Sequence, residues 1–171
     1  RNMPTGYYRN IEGGNIPNNM AVAHLMLPSF PSSTLDPYID SKNLAELGVR
    51  TYLLTSSDAA RARLGATTLR IPDKNILCGR DIERMSDIEL CSNLSGTFVF
   101  AGLSPKDKAR IALALQSLGN RVAVLSSSLS DSVLLETADV ALTSSRSEDA
   151  VKGSCNVIYD GEVSADQAIL F

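Results

Sequence analysis

Ser126-Ser127-Ser128-Leu129-Ser130-Asp131-Ser132 places five serines and one carboxylate directly after the apolar run Arg121–Leu125. A hydroxyl-rich loop between a strand and a helix can offer O–H and backbone N–H groups to an anion. Two other loops stand in equivalent positions. Thr55-Ser56-Ser57-Asp58 follows the apolar run Val49–Leu54, and Gly102–Lys108 follows Thr97–Ala101. Taken singly, Lys108 reads as a solvated helix lysine, Asp131 as a helix cap and Thr55 as an ordinary strand end. His24, the only histidine, lies in the apolar run Met20–Leu27 with no second ligand or triad partner near it in sequence, and is read as structural. Cys78, Cys91 and Cys155 are widely spaced and lack a CxxC pair, so free thiols are expected rather than a zinc site or a disulfide framework.

The elements that would position these loops alternate regularly. Met20–Leu27, Val49–Thr55, Thr97–Ala101, Arg121–Leu125, Val140–Leu142 and Asn156–Tyr159 read as strands. Between them, Leu35–Leu47 has helical spacing stopped by Gly48, and Ser56–Asp58 caps a short helix through Arg63 that Gly65 ends. Residues 66–80 read as short strands and turns. Asp81–Leu94 reads as one or two helices, with Ser86 and Glu89 in a capping box. Ser104, Pro105 and Asp107 open the strongest helix, whose apolar face is assigned to Ile111, Leu115 and Leu118 and whose end is set by Gly119. Shorter helices are expected over Ser132–Thr137, Ser147–Lys152 and from Glu162. Such alternation implies a Rossmann-like α/β fold, a mostly parallel sheet with helices on both faces. Ligands of such folds sit beyond the carboxyl ends of the strands, so the three loops should share one edge.

The 171 residues, 44% hydrophobic with a net charge of −3, suit one domain over residues 20–171 after an irregular lead-in over residues 1–19. Tyr7 and Tyr8 are candidates for pinning the lead-in to the body. The absence of a grouped basic patch removes the electrostatic basis for nucleic-acid binding. No apolar run approaches the roughly 20 residues needed to cross a bilayer. The chain opens on Arg1 and stops in the apolar pattern Ile169-Leu170-Phe171, which fits a part of a longer protein.

The segments Leu47–Ser57, Ile76–Leu90, Val99–Lys108 and Val122–Leu142, in that order, resemble the phosphorylation domain of cation-transporting P-type ATPases, a haloacid-dehalogenase-like fold. The tail Asp149–Asp160 is similar to the family's stretch leading back to the membrane. Carried over residue by residue, the resemblance implies that Thr55-Ser56-Ser57 stands for the family's TGD, with Ser57 in place of the aspartate. It implies that Lys108 is the family's lysine after the Ser-Pro turn. Leu125–Asp131 stands for TGDGxND, so that Ser127 replaces the first aspartate, Ser130 the asparagine, and only Asp131 survives. Ser126 and Ser128 stand for the two glycines, with a penalty wherever a positive φ is required. The DKTGT segment that carries the family's phosphoryl acceptor does not occur in these 171 residues. In the family the acceptor strand lies at the centre of the sheet, between the strands ending at Thr55 and Leu125. Met20–Leu27 fills that place, or a sequence-distant strand does, or the fold adjusts; membership of Met20–Leu27 in the main sheet is preferred, without a fixed slot.

The resemblance implies a cytosolic module of an atypical P-type-ATPase-related membrane protein, in cation transport or its regulation, that forms no phosphoenzyme. Thr55, Ser57, Lys108, Ser127 and Asp131 are then vestigial catalytic positions, no cofactor is expected, and Mg²⁺ binds weakly at most, through Asp131. The partner implied is the rest of a longer chain with transmembrane segments, on the cytosolic face of a membrane. A second hypothesis, supported by a looser similarity of Val122–Leu142 to sugar-isomerase-type domains, makes Ser126–Asp131 the core of an anion or sugar-phosphate site. Thr55, Ser56, Lys108, Ser126 and Ser128 are its candidate ligands. A phosphatase that uses Asp131 is the third.

Overall fold

A parallel strand is buried on both faces and its neighbours must be reached by crossovers; the sequence supplies both conditions. The computed structural model describes residues 20–25, 41–46 and 48–159. Its elements are β1 (Met20–Leu25), α1 (Ser41–Glu46), β2 (Arg50–Leu54), α2 (Ala59–Thr68), β3 (Ile76–Cys78), α3 (Gly79–Arg84) and α4 (Asp87–Asn93). They continue with β4 (Val99–Ala101), α5 (Pro105–Ser117), β5 (Arg121–Leu125), α6 (Ser132–Thr137), β6 (Val140–Ser144), α7 (Asp149–Gly153) and β7 (Val157–Tyr159). A 3₁₀ turn over Leu129–Asp131 precedes α6. The seven strands form one sheet in the order β3-β4-β2-β1-β5-β6-β7, and every pairing is parallel.

β1 answers the question of the central slot. Ala21 pairs with Arg50 of β2 and with Val122 of β5, so the strand lies between the two whose loops carry Thr55 and Ser126. The register with β5 shifts between Val22 and Leu25, after which Leu25 stands level with Leu125. His24 belongs to this strand. The lead-in, Tyr7 and Tyr8, the stretch 26–40 and the helix expected from Glu162 fall outside the described residues.

Side-chain alternation along β2 divides the core. Tyr52 and Leu54 join Ile82, Leu90, Ile111, Leu115, Leu134 and Val151 on the face covered by α3 to α7. Leu53 joins Leu44, Ala62, Ala66 and Val99 on the face covered by α1 and α2. Helices on both faces follow directly. Tyr52 reaches through its layer to donate a hydrogen bond to the Leu94 carbonyl at 3.0 Å, and its burial pushes the phenol above its ordinary pKa against the pull of Arg50.

Several boundaries differ from those expected. α2 does not stop at Gly65 but runs to Thr68, because Ala62, Gly65 and Ala66 form its buried small face. Its stop comes at Arg70, whose φ of 55° is left-handed; the Ile71 N–H returns to the Ala66 carbonyl at 2.8 Å, the six-to-one bond of a Schellman end. Asp58, rather than the serines before it, caps the helix through the Arg61 N–H. Asp81–Leu94 is two helices, and Arg110 braces their junction by donating to the carbonyls of Ile82 and Met85 and to Asp87. Leu118 is 52% exposed: it lies one residue beyond α5, whose buried face is completed instead by Lys108, Ala109, Ala112 and Ala114.

Two local contacts fix the spacing of the sheet. Gly79 opens α3 against the turn after β4, where a Cβ would run into the Gly102 carbonyl oxygen. At the far end Asp139 ties three elements together. Its carboxylate accepts from the Val122 N–H, from Arg121 and from Gln116, while its own N–H donates to the Val122 carbonyl at 2.9 Å. Burial works against the charged form, but these hydrogen bonds and the Arg121 charge outweigh it and hold the carboxyl below its usual range.

Gly79→Ala should cost about 1–3 kcal/mol, the usual cost of overpacking, because a backbone carbonyl must move; urea unfolding of the two proteins measures it. For Asp139 the native pKa lies below the unfolded value, so its stabilisation is present above the ordinary aspartate range and fades as pH falls through the lowered value. Asp139→Asn should therefore be less stable than the parent near neutrality and lose less stability on acidification, as read from melting temperatures across a pH series.

Candidate functional site

The carboxyl edge of the sheet gathers the loops after β2, β4 and β5, as the strand order requires. Thr55 is 3% exposed, and its backbone is stitched to the neighbouring loop: its N–H donates to the Phe100 carbonyl and its carbonyl accepts from Leu103, both at 3.0 Å. The Thr55 hydroxyl accepts from the Ser57 N–H at 3.0 Å. Ser57 in turn presents its carbonyl to the Gly102 N–H at 2.7 Å. Thr55, Ser57 and the Gly102–Leu103 turn therefore form one hydrogen-bonded unit, while Ser56 faces solvent.

A second unit grows from the start of α5. Ser104 and Asp107 cap the helix reciprocally: the Ser104 N–H and hydroxyl reach Asp107 at 3.0 and 2.6 Å, and the Asp107 N–H returns to Ser104 Oγ. Pro105 sets the first helical φ where its missing N–H costs nothing. This cap determines the rotation of the first turn, and the rotation sends Lys108 inward. Its side chain is 1% exposed, and Nζ lies 2.8 Å from Oδ1 of Asp131, itself fully buried. The other carboxylate oxygen accepts the Ser126 hydroxyl at 2.8 Å.

The serine loop bonds largely to itself. Ser126 Oγ accepts the Ser128 N–H at 3.1 Å, Ser128 Oγ accepts the Ser130 N–H at 3.3 Å, and the Asp131 N–H reaches the Ser128 carbonyl at 3.1 Å. The two exposed hydroxyls of Ser128 and Ser130 share a 2.8 Å bond. Ser127 projects to solvent. The penalty expected from serines in glycine positions does not arise, since among the described residues Arg70 is the non-glycine residue with a positive φ, and Ser128 sits at φ −101°.

Of the predicted residues, then, Lys108, Ser126 and Asp131 meet directly, Ser128 and Ser130 support their loop, and Thr55 and Ser57 belong to the adjacent unit. Asp131 precedes α6 without a side-chain capping bond, and Lys108 is not a solvated lysine. Ser126 was legible as a possible anion ligand and as the counterpart of a family glycine; its role as the partner of Asp131 has a weak sequence signal, a hydroxyl five residues before the sole carboxylate of the loop. Among the described residues no three of His, Cys, Asp and Glu gather where a metal ion could be held.

No family profile matches the chain. Among individual proteins it is 35% identical over 129 residues to a P-type magnesium-transporting ATPase 1 of Salmonella typhimurium strain LT2, covering 72% of this chain and 14% of that one. It is 32% identical over 114 residues to calcium-transporting ATPase 1 of Bacillus cereus, covering 65% and 13%. The chain thus spans about one seventh of the length of these relatives. Among solved structures, the catalytic domain of the CPx-ATPase CopB-B shares the fold with a TM-score of 0.50 at 20% identity, over 68% of this chain and 37% of that one. The chain is a homologue of one segment of cation-transporting P-type ATPases, with the α/β, haloacid-dehalogenase-like fold of a P-type ATPase catalytic domain.

Proposed function

We propose that this chain is the phosphorylation-domain-like module of an atypical P-type-ATPase-related membrane protein, serving cation transport or its regulation from the cytosolic face without forming a phosphoenzyme. The observation that carries it is the buried pair of Lys108 and Asp131, 2.8 Å apart at 1% and 0% exposure. The one carboxylate left in the loop is committed to an ammonium on one oxygen and to Ser126 on the other. Phosphoryl transfer needs a nucleophile and a divalent cation to hold the developing charge. Here Ser127 offers a neutral hydroxyl, and no Asp-Lys-Thr-Gly segment occurs in the 171 residues. Membership of a larger polypeptide is supported by the small share of its relatives that the chain spans. Among the described residues no helix is long and apolar enough to cross a membrane. The sugar-phosphate alternative has less support, because the Ser128 and Ser130 amides and the Ser126 hydroxyl are already bonded inside the loop, around a carboxylate that would repel an anion.

The pair also has an energetic meaning. Two charges removed from water lose hydration that their attraction barely restores, yet taking away one partner leaves the other buried and uncompensated, at about 3–5 kcal/mol. Lys108 and Asp131 therefore act as a structural unit that joins α5 to the loop after β5.

Incubation of the chain with γ-labelled ATP and Mg²⁺ followed by acid quench should leave no acid-stable label, and a hydroxylamine-sensitive acyl-phosphate would overturn the proposal. Mg²⁺ should leave the melting temperature of the parent unchanged and raise that of Ser127→Asp, where a second carboxylate is restored. Lys108→Met should lose about 3–5 kcal/mol in chemical unfolding, with much of the loss recovered in Lys108→Met/Asp131→Asn, since no buried charge is then left alone.

A further inference from the structure

Ser126 stands where the TGDGxND pattern has a glycine, so its hydroxyl is an addition that the pattern does not carry. The residue is 2% exposed, and the hydroxyl is used twice. Oγ accepts the Ser128 N–H at 3.1 Å and donates to Oδ2 of Asp131 at 2.8 Å. The accepted N–H occupies one side of the oxygen, which leaves the O–H aimed at the carboxylate. The backbone is held as well, since the Ser126 N–H donates to the Leu142 carbonyl of β6 at 3.2 Å.

The residues gathered here do not fit the divalent cation that the family pattern implies. Mg²⁺ demands near-octahedral oxygen ligands and is held through carboxylates. Among the described residues no three of His, Cys, Asp and Glu come together, and Ser127 turns a neutral hydroxyl to solvent. Asp131 is fully buried with Oδ1 2.8 Å from the Lys108 ammonium. The two charges of this pair cancel, so a dication placed on it would stand uncompensated beside an ammonium in a site closed to water. It would also have to displace the Ser126 hydroxyl from Oδ2, and a hydrogen bond to a charged group is among the stronger ones.

We propose, resting on the reading of this loop as one that transfers no phosphoryl group, that Ser126 and Lys108 together replace the divalent cation as partners of Asp131, and that Ser126 is the residue that bars the metal. The ammonium answers the charge of the carboxylate and the hydroxyl takes up its second oxygen. Order at this edge is then supplied from inside the chain and needs no bound ion. A carboxylate restored at position 127 recovers metal binding only in part while Ser126 keeps its hydroxyl.

The test is a calorimetric titration of Mg²⁺ into the 171-residue chain and into Ser127→Asp, Ser126→Ala/Ser127→Asp and Ser126→Gly/Ser127→Asp. Alanine removes the hydroxyl alone, and glycine restores the residue of the family pattern. Both double variants should bind Mg²⁺ at least about tenfold more tightly than Ser127→Asp, the worth of one hydrogen bond to a charged group. Ser126→Ala by itself should lower the folding equilibrium constant roughly ten- to hundredfold in urea unfolding. Three results overturn the proposal: Mg²⁺ affinities of the double variants within about threefold of Ser127→Asp, no saturable Mg²⁺ binding by either double variant, or a Ser126→Ala protein as stable as the parent. The first of these, joined to a loss of stability, is what a merely structural hydroxyl would give. An acyl-phosphate on the parent would remove the proposed function and leave this comparison of affinities standing, whereas equal affinities would remove only the role of Ser126.

Discussion

An ammonium and a carboxylate sealed from water between α5 and the loop after β5 set the terms for this edge of the fold. Lys108 and Asp131 face each other at 2.8 Å, and neither charge tolerates burial without the other. The requirement propagates outward. Ser104 and Asp107 must cap α5 with the rotation that turns Lys108 inward, Ser126 must give its hydroxyl to the second carboxylate oxygen, and Ser128 must give its N–H to Ser126. The hydroxyl-rich loop is a chain of hydrogen bonds ending on one buried charge.

The neighbouring unit shows a different economy of parts. Thr55 and Ser57 are held by main-chain bonds to the turn at Gly102, and that turn is held by the close approach of Gly79. Main-chain bonds, with the Thr55 hydroxyl accepting from the Ser57 N–H, keep this part of the edge in register.

Much of the fold was legible in the sequence because the decisive signals are local. Apolar runs mark the strands, and Ser104-Pro105 with Asp107 marks the start of α5 through bonds that span three residues. The parts that were not legible depend on distant partners. Nothing within a turn of Lys108 announces burial, since its partner lies 23 residues away. Gly65 reads as a helix stop by its intrinsic preference, yet tertiary packing of the small face of α2 overrides it, and the helix ends at an arginine that propensity would not choose. Leu118 continues the apolar pattern of α5 but lies just beyond its last turn and so reaches solvent. The slot of β1 was undetermined because hydrophobicity says that a strand is buried and not which neighbours bury it; pairing with β2 and β5 is a property of the whole sheet.

Among the described residues the outer strands of the sheet, β3 and β7, have three residues each. So short a border presents few free N–H and C=O groups in line, too few to template an added strand with an adequate ladder. Strands this short discourage growth by strand addition, a device against fibrous self-association.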